Sequence, residues 1–479
     1  MLIDRVVGTE MEYGITVEWE DRDRLQGNAQ IDDEEAVLSI NHFEIDKLLF
    51  NVPDGLYRTA QFLTNGSSSY ADHYHPEYAT PEIKVTNASE IEAYDGLDEL
   101  VAAEIAGERI IMHAFEVAKK QGIIRSYSLN NRILDEFGTT TGYHENYLVD
   151  RGRLDIKKAE GEQYDAFGLF GLHNATRNIY AGSGGVYRPK GETDLTFTVA
   201  QKPVTLQKDF NLATTTEKPL INTRDEPHAA ARHFARLHNV CADPSNSAWS
   251  KRIKVGTTVM VLDAIENGAK LGGVLEFEQG KLHHIARQVA ADPTCKRPVR
   301  RANGATIKPV DIQYEILARA HHNAARYTQT KVTKWILAEW ERALRLITED
   351  PLLLADRADW PLRYKMHQKY GGYNLGRDVQ FDMINPGENG RNTIAVARAK
   401  KWKQWMPPEE LIQARMVSPP PNTRAWPRGN YIKKSVHNRF AIRVNWGGWS
   451  QLAAPKECIV PDPRSTRTET GSVLRLTYN

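Results

Sequence analysis

Glycine-rich phosphate loops are missing from this 479-residue sequence. Neither GxxxxGK[ST] nor GxGxxG occurs, which excludes the two common backbone cradles for nucleotides. Cysteine is scarce: Cys241, Cys295 and Cys458 lie far apart and form no CxxC pair. That excludes a disulfide framework or a thiolate zinc site and fits a reducing, cytoplasmic compartment. Long apolar runs are also lacking. The most apolar stretch, Val255 to Ile265, holds Thr257, Thr258 and Asp263 and falls well short of the roughly 20 residues that cross a bilayer. The start, Met1 to Arg5, has too short an apolar run for a secretory signal. A formal net charge of +1 supplies no field for DNA or an anionic membrane, so neither is expected as a partner.

What is present is ordinary globular composition, with 41% hydrophobic and 26% charged residues. The length predicts one large domain and a smaller one. We place the large domain at 1–404 and the small one at 405–479, after Pro407-Pro408 and around Ser418-Pro419-Pro420-Pro421. Leu2 to Val17 reads as strand, broken near Gly8. Glu20 to Glu34, rich in charge around Gly27-Asn28, reads as a surface loop. Residues 90–120 read as a helix whose apolar face carries Leu97, Leu100, Val101, Ile105, Ile110, Ile111 and Phe115, with Gly96 and Gly107 as interruptions. A second helix is predicted over Thr330 to Thr348. Tyr143 to Val149, Leu195 to Val199 and Lys254 to Leu262 read as strands. Strands and helices mix without a βαβ rhythm, which predicts an α+β fold with an antiparallel sheet flanked by helices.

Four stretches can carry chemistry. In Gly8-Thr9-Glu10-Met11-Glu12-Tyr13-Gly14-Ile15, strand alternation puts Glu10 and Glu12 on one face, roughly 7 Å apart. Two such carboxylates repel unless a cation lies between them, and magnesium suits hard oxygen ligands; two solvent-facing glutamates are the alternative. Tyr70 to Glu82 packs two histidines, three carboxylates and three tyrosines into thirteen residues. If extended, Tyr70 and Asp72 point the same way, whereas Glu77 and Thr80 fall on opposite faces unless the chain bends. Zinc held by His73 and His75 would lack further ligands at zinc-site spacing. In Gly142 to Leu148, His144 and Asn146 share a face and can hold a nucleotide or substrate, or be buried structural groups. Asn222-Thr223-Arg224-Asp225-Glu226-Pro227-His228 mixes both charge signs, as a phosphate or carboxylate clamp or a surface salt-bridge cluster would. The basic run Lys296 to Arg301 is a solvated face or meets an acidic partner.

Taken together these stretches resemble the Pup ligase and depupylase family. GTEMEYGI, YADHYHPEYATPE, GYHENYLVDR, INTRDEPHA, RLHNV, KVGTTVMVLDAIE and PPNTRAWPRG occur in the family's order from residue 8 to about 450. The resemblance implies a glutamine-synthetase-like fold, a curved antiparallel sheet backed by helices with a small C-terminal domain, and ATP with Mg2+ in the sheet's concave face. Position by position it implies Glu10, Tyr70 and Glu77 as magnesium ligands, Asp72 as the catalytic aspartate, and Thr80 and Trp446 as ATP contacts. Glu12, His75, His144, Asn146 and Arg224 are candidate substrate or nucleotide contacts. Ser68 stands where the family has an arginine, Asn130-Asn131-Arg132-Ile133 stands where it has NNTD, and the stretch between Gly14 and Asn65 is shorter than the usual depupylase insertion.

The TEMEYGI string, the short spacing from Asp72 to Glu77, Pro81 after Thr80, GYHENYLVDR and KVGTT resemble the depupylase branch. The expected activity is therefore ATP- and Mg-dependent hydrolysis of the isopeptide bond between a Pup-like modifier and a substrate lysine, with deamidation of the modifier's C-terminal Gln. The alternatives are a Pup–protein ligase and a non-catalytic modifier-binding protein. Expected partners are the Pup-like modifier, its conjugates and, indirectly, the bacterial proteasome.

Overall fold

A computed structural model describes residues 5–19, 44–72, 74–85, 94–134, 141–214, 216–384, 393–452, 454 and 457–471. The stretch from Glu20 to Glu34 and residue His73 lie outside them. The chain's first alternating run forms β1 (Val6–Glu12) and β2 (Gly14–Trp19), with the break at Tyr13 rather than at Gly8. Next come β3 (Arg58–Thr59), β4 (Phe62–Leu63), β5 (Ser68–Asp72), β6 (His75–Ala79), β7 (Ile83–Lys84), β8 (Ile124–Asn130) and β9 (Tyr143–Asp150). Short β10 (Gly185–Tyr187) and β11 (Thr196–Thr198) pair with each other. They are followed by β12 (Lys208–Asn211), β13 (Pro219–Asn222) and β14 (Phe234–Asn239). The main sheet runs β12-β13-β14-β9-β1-β6-β5-β4-β3, with β7 also on β1. Every pairing in it is antiparallel except β12 with β13, which is parallel. The α+β class with a large sheet backed by helices stands as expected.

The sheet's helix-side face carries Val7, Tyr147 and Leu237, buried against α1 (Gly96–Lys120), α2 (Tyr164–Thr176), α3 (Ala248–Glu266), α4 (Pro309–Ala324) and α5 (Lys331–Glu349). The α1 helix is continuous through Gly107 because that position must be small: a Cβ there would lie 2.2 Å from the Tyr78 ring. Gly107→Ala should cost about 1–3 kcal/mol by overpacking, read as a lower urea midpoint at unchanged slope. Helix α5 begins where its sequence says, with the Thr330 hydroxyl accepting the N–H of Thr333.

Lys254 to Leu262 is not a strand but the middle of α3. Nearly every residue of α3 is buried, including Thr257, Thr258 and Asp263. A helix enclosed on all sides loses the 3.6-residue polar rhythm and is indistinguishable by pattern from a buried strand. Between α3 and α4 lie β15 (Val299–Arg300) and β16 (Thr306–Ile307); the tail holds α6 (Glu409–Val417), packed against α1, and then α7 (Ala425–His437). It closes with a four-stranded sheet of β17 (Ile442–Asn445), β18 (Gly448–Gln451), β19 (Glu457–Ile459) and β20 (Glu469–Gly471). Among the described residues no helix is long and apolar enough to cross a membrane.

Candidate active site

Register alone explains why residues far apart in sequence meet. Residues paired across a sheet lie on the same face. Glu12 pairs with Glu77, and Glu77 pairs with Tyr70, so three motif residues form one rung across β1, β6 and β5. Two residues along, Glu10 pairs with His144 on one side and Ala79 on the other. The following rung joins Gly8, Asn146 and His238. Asp72 ends β5 opposite His75.

Each rung is held by its own bonds. The Tyr70 hydroxyl donates to Glu77 Oε1 at 2.7 Å. Glu10 meets His144 Nδ1 at 3.1 Å, accepts from Asn146 Nδ2 at 3.1 Å and lies 4.0 Å from Arg236. Burial would raise the Glu10 pKa, but the His144 hydrogen bond and the Arg236 charge outweigh it and hold the carboxyl well below the usual range. The opposite applies at Glu77. Burial and the charges of Glu10, Glu12 and Asp72 push its carboxyl well above the usual range, against the Tyr70 hydrogen bond. Oxygens of Glu12, Asp72 and Glu77 lie within 4.8 Å of one another, as do ligand atoms of Glu10, His144 and His238. The first set is short of positive charge and entirely oxygen, the donor chemistry magnesium takes.

Thr80 and Trp446 line one cleft with Val6 to Glu10, Asn146, Pro227, His228, Arg236 and Arg424. The Thr80 hydroxyl accepts the Thr9 N–H at 2.9 Å. Trp446 meets Phe62 edge-on at 5.2 Å under the Arg428 guanidinium. The expected site residues Glu10, Glu12, Tyr70, Asp72, Glu77, His144 and Asn146 therefore share one sheet region, bordered by Thr80 and Trp446. Arg224 stands apart: its side chain is 61% exposed and paired with Glu226. Its loop is bent sharply instead, with left-handed φ at Asp225, Glu226 and His228. The basic run near Arg300 forms β15, away from the site, where the Asp292 carboxylate accepts the N–H groups of Lys296 and Arg297.

Sequence reasoning passed over His238, Arg236 and the buried Glu82 clamp. His238 and Arg236 alternate with Leu237 inside RLHNV, so the same face rule applied to His144 would have found them. His238 is buried beside His144, ring centroids 4.9 Å apart. Burial, with Arg236 and His144 close by, keeps its imidazole well below the usual pKa and neutral. Glu82, at the end of YADHYHPEYATPE, accepts from Arg424 at 2.6 Å and from Arg428 at 2.5 and 3.0 Å. Arg428 also donates to the Trp446 carbonyl at 2.8 Å, so the PPNTRAWPRG segment fastens the C-terminal sheet to the cleft.

Glu77→Gln should leave the metal-free protein at least as stable as the wild type. A carboxyl whose folded pKa is raised gives stability that is present below its unfolded pKa and lost as pH rises through the folded one. At pH 7 the native state therefore carries a penalty that glutamine removes. Thermal melting at pH 7 in EDTA reads this; a clear drop in Tm for the variant would contradict it.

A family model described as Pup-ligase protein matches residues 5–450. The Pup--protein ligase of Nocardioides sp. is 30% identical over 458 residues, covering 92% of this chain and 92% of its own. The Pup--protein ligase 1 of Rhodococcus erythropolis is 30% identical over 457 residues with the same coverage. Among solved structures, the ligase PafA in complex with the prokaryotic ubiquitin-like protein Pup matches with a TM-score of 0.74 at 24% identity, over 97% of this chain and 90% of that one. The Pup ligase PafA in complex with ADP matches with a TM-score of 0.69 at 24% identity, over 92% and 93%. These findings correct the hydrolase expectation: the full-length relatives are named as ligases, not as depupylases or deamidases. The Asp72–Glu77 spacing, one of the branch features, lies at the end of the β5–β6 hairpin, where Asp72 pairs with His75 two residues beyond the Tyr70–Glu77 pair.

Proposed function

We propose, from the premise that the chain belongs to the Pup-ligase family, that it is an ATP-dependent Pup–protein ligase. It activates the C-terminal glutamate of Pup and joins it to a lysine of a target protein. The observation that carries this reading is 30% identity to named ligases across 92% of the chain. The carboxylate rungs support it, and their crowding fits a hard cation. In this reading Glu10, Tyr70 and Glu77, joined by Glu12, hold magnesium, while Thr80 and Trp446 border the ATP cleft. Magnesium, when bound, neutralises charge on the ATP phosphates.

The chain's own residues divide the remaining work. Arg236 and His228 face the cleft and can meet phosphate oxygens where Ser68 supplies no cation. Ser68 itself is buried and donates to the Gln61 carbonyl at 3.2 Å. A γ-carboxylate oxygen attacks the γ-phosphorus of ATP; the new O–P bond forms as the P–O bond to ADP breaks. The target amine then attacks the acyl carbon. As the C–N bond forms, the C–O bond to phosphate breaks and Asp72 takes the amine proton. Incubating the chain with Pup ending in glutamate, MgATP and a lysine-bearing target should give a higher-mass conjugate and ADP in equal amounts. ADP release without conjugate, or no reaction, would overturn the assignment.

A further inference from the structure

Among the described residues, Lys202 is a buried cation with few partners. It begins a short 3-10 turn, Lys202–Thr205, and is 6% exposed. The Asp243 carboxylate anchors its backbone rather than its charge. Oδ1 accepts the Lys202 N–H at 2.8 Å, and Oδ2 accepts the N–H groups of Gln201 at 2.7 Å and Ser183 at 3.0 Å. The ammonium donates to the Thr141 carbonyl at 3.2 Å, and among the described residues no carboxylate pairs with it. An ammonium has three N–H donors, and a buried charge left with one carbonyl is expensive.

Its position gives that shortfall a meaning. Thr141 precedes Gly142, whose carbonyl accepts the Glu12 N–H at 3.0 Å. A Cβ on Gly142 would lie 2.3 Å from Glu12 Oε1 and 2.7 Å from His144 Nε2. Lys202 therefore flanks the Glu12–Glu77 rung from the β9 side, while Asp72 flanks it from the β5 side. Four groups act on the Lys202 charge: Glu12 and Asp243 favour it, Lys218 opposes it, and the Cys241 thiol lies nearby. Burial outweighs them and lowers the ammonium to about 8, so it stays mostly protonated at neutral pH.

We propose that Lys202 is a substrate-binding residue that holds the γ-carboxylate of the modifier's C-terminal glutamate beside the rung, opposite Asp72. The inference rests on the ligase reading. A carboxylate brought among Glu12, Asp72 and Glu77 is repelled by all three, and among the described residues Lys202 is a buried cation on that flank with donors to spare. Lys202 keeps its proton throughout and orients the oxygen that attacks phosphorus.

The test compares Lys202→Met and Lys202→Arg with the wild type, using labelled Pup ending in Glu and the same protein ending in Ala. Binding is read by anisotropy without ATP, so it does not depend on turnover. The wild type should prefer the Glu form. Lys202→Met should lose about tenfold of that preference, as expected for one charge-assisted hydrogen bond, and Lys202→Arg should keep most of it. ATP affinity and Tm should hold in both variants. A Met variant that keeps the preference overturns the proposal. So does an equal loss for the Glu and Ala forms, or a loss that Arg does not rescue while Tm holds. If Lys202→Met loses the preference and Lys202→Arg keeps it but the wild type forms no conjugate, the ligase reading fails and the Lys202 assignment stands; a wild type with no preference for the Glu form overturns it.

Discussion

Asp72→Asn should reduce conjugation by about 10²- to 10⁴-fold, the range of a lost general base, while ATP binding and Tm stay near wild-type values. Asparagine keeps the size of the side chain but cannot take a proton from the attacking amine. Stability has no reason to fall, since the Asp72 charge is one of three that push the Glu77 carboxyl upward. Removing it eases the crowding of Glu12, Asp72 and Glu77. Stopped conjugation assays and isothermal titration with MgATP separate the two effects. A folded, ATP-binding Asp72→Asn that still conjugates at more than about a tenth of the wild-type rate would remove Asp72 from the chemistry.

Arg428→Met should cost about 3–5 kcal/mol, because it breaks a buried ion pair and leaves the Glu82 charge with Arg424 alone. The guanidinium holds Glu82, the Gly66 carbonyl at 2.5 Å and the Trp446 carbonyl together. One substitution therefore loosens the link between β6 and β7, the turn before β5 and the C-terminal sheet at once. Urea unfolding reads the stability loss, and nucleotide titration reads the loosening of the cleft wall. Arg428→Met with Glu82→Gln should be milder than the sum of the single changes, since both act on the same ion pair. The pH sign follows from Glu82. Burial opposes ionisation, yet Arg428 and Arg424 lower the carboxyl from 4.5 to about 2. Its contribution is full above the unfolded value and is lost as pH falls from 4.5 toward about 2.

The legible part of this site was the part governed by local alternation. Glu10 with Glu12, and His144 with Asn146, could be put on common faces because a strand repeats every two residues. What alternation cannot supply is register between strands. That is why Glu12 read as a secondary contact although it pairs directly with Glu77, and why Lys202, brought in by a turn, gave no signal. Burial on all sides erased the rhythm of α3 and turned a helix into an expected strand. The ligase-or-hydrolase choice was illegible for a different reason: it was read from flanks and hairpin length, whereas the rung residues suit either chemistry. Glu82 closes a motif that was read for metal ligands, yet its partners Arg424 and Arg428 lie in another motif read only as a family string.

The placement of β1 at the centre of the sheet sets an order on synthesis. Val6–Glu12 is made before its partners: His144, which meets Glu10, follows 134 residues later. Arg428, which closes the cleft through Glu82, follows Glu82 by 346 residues. Until β6 and then β9 have followed it, the strand with the metal-side carboxylates has an edge open to wrong pairing. The rungs need residues up to His238, whereas the cleft wall also needs Arg428 on Glu82, so the rungs can form before the cleft is closed.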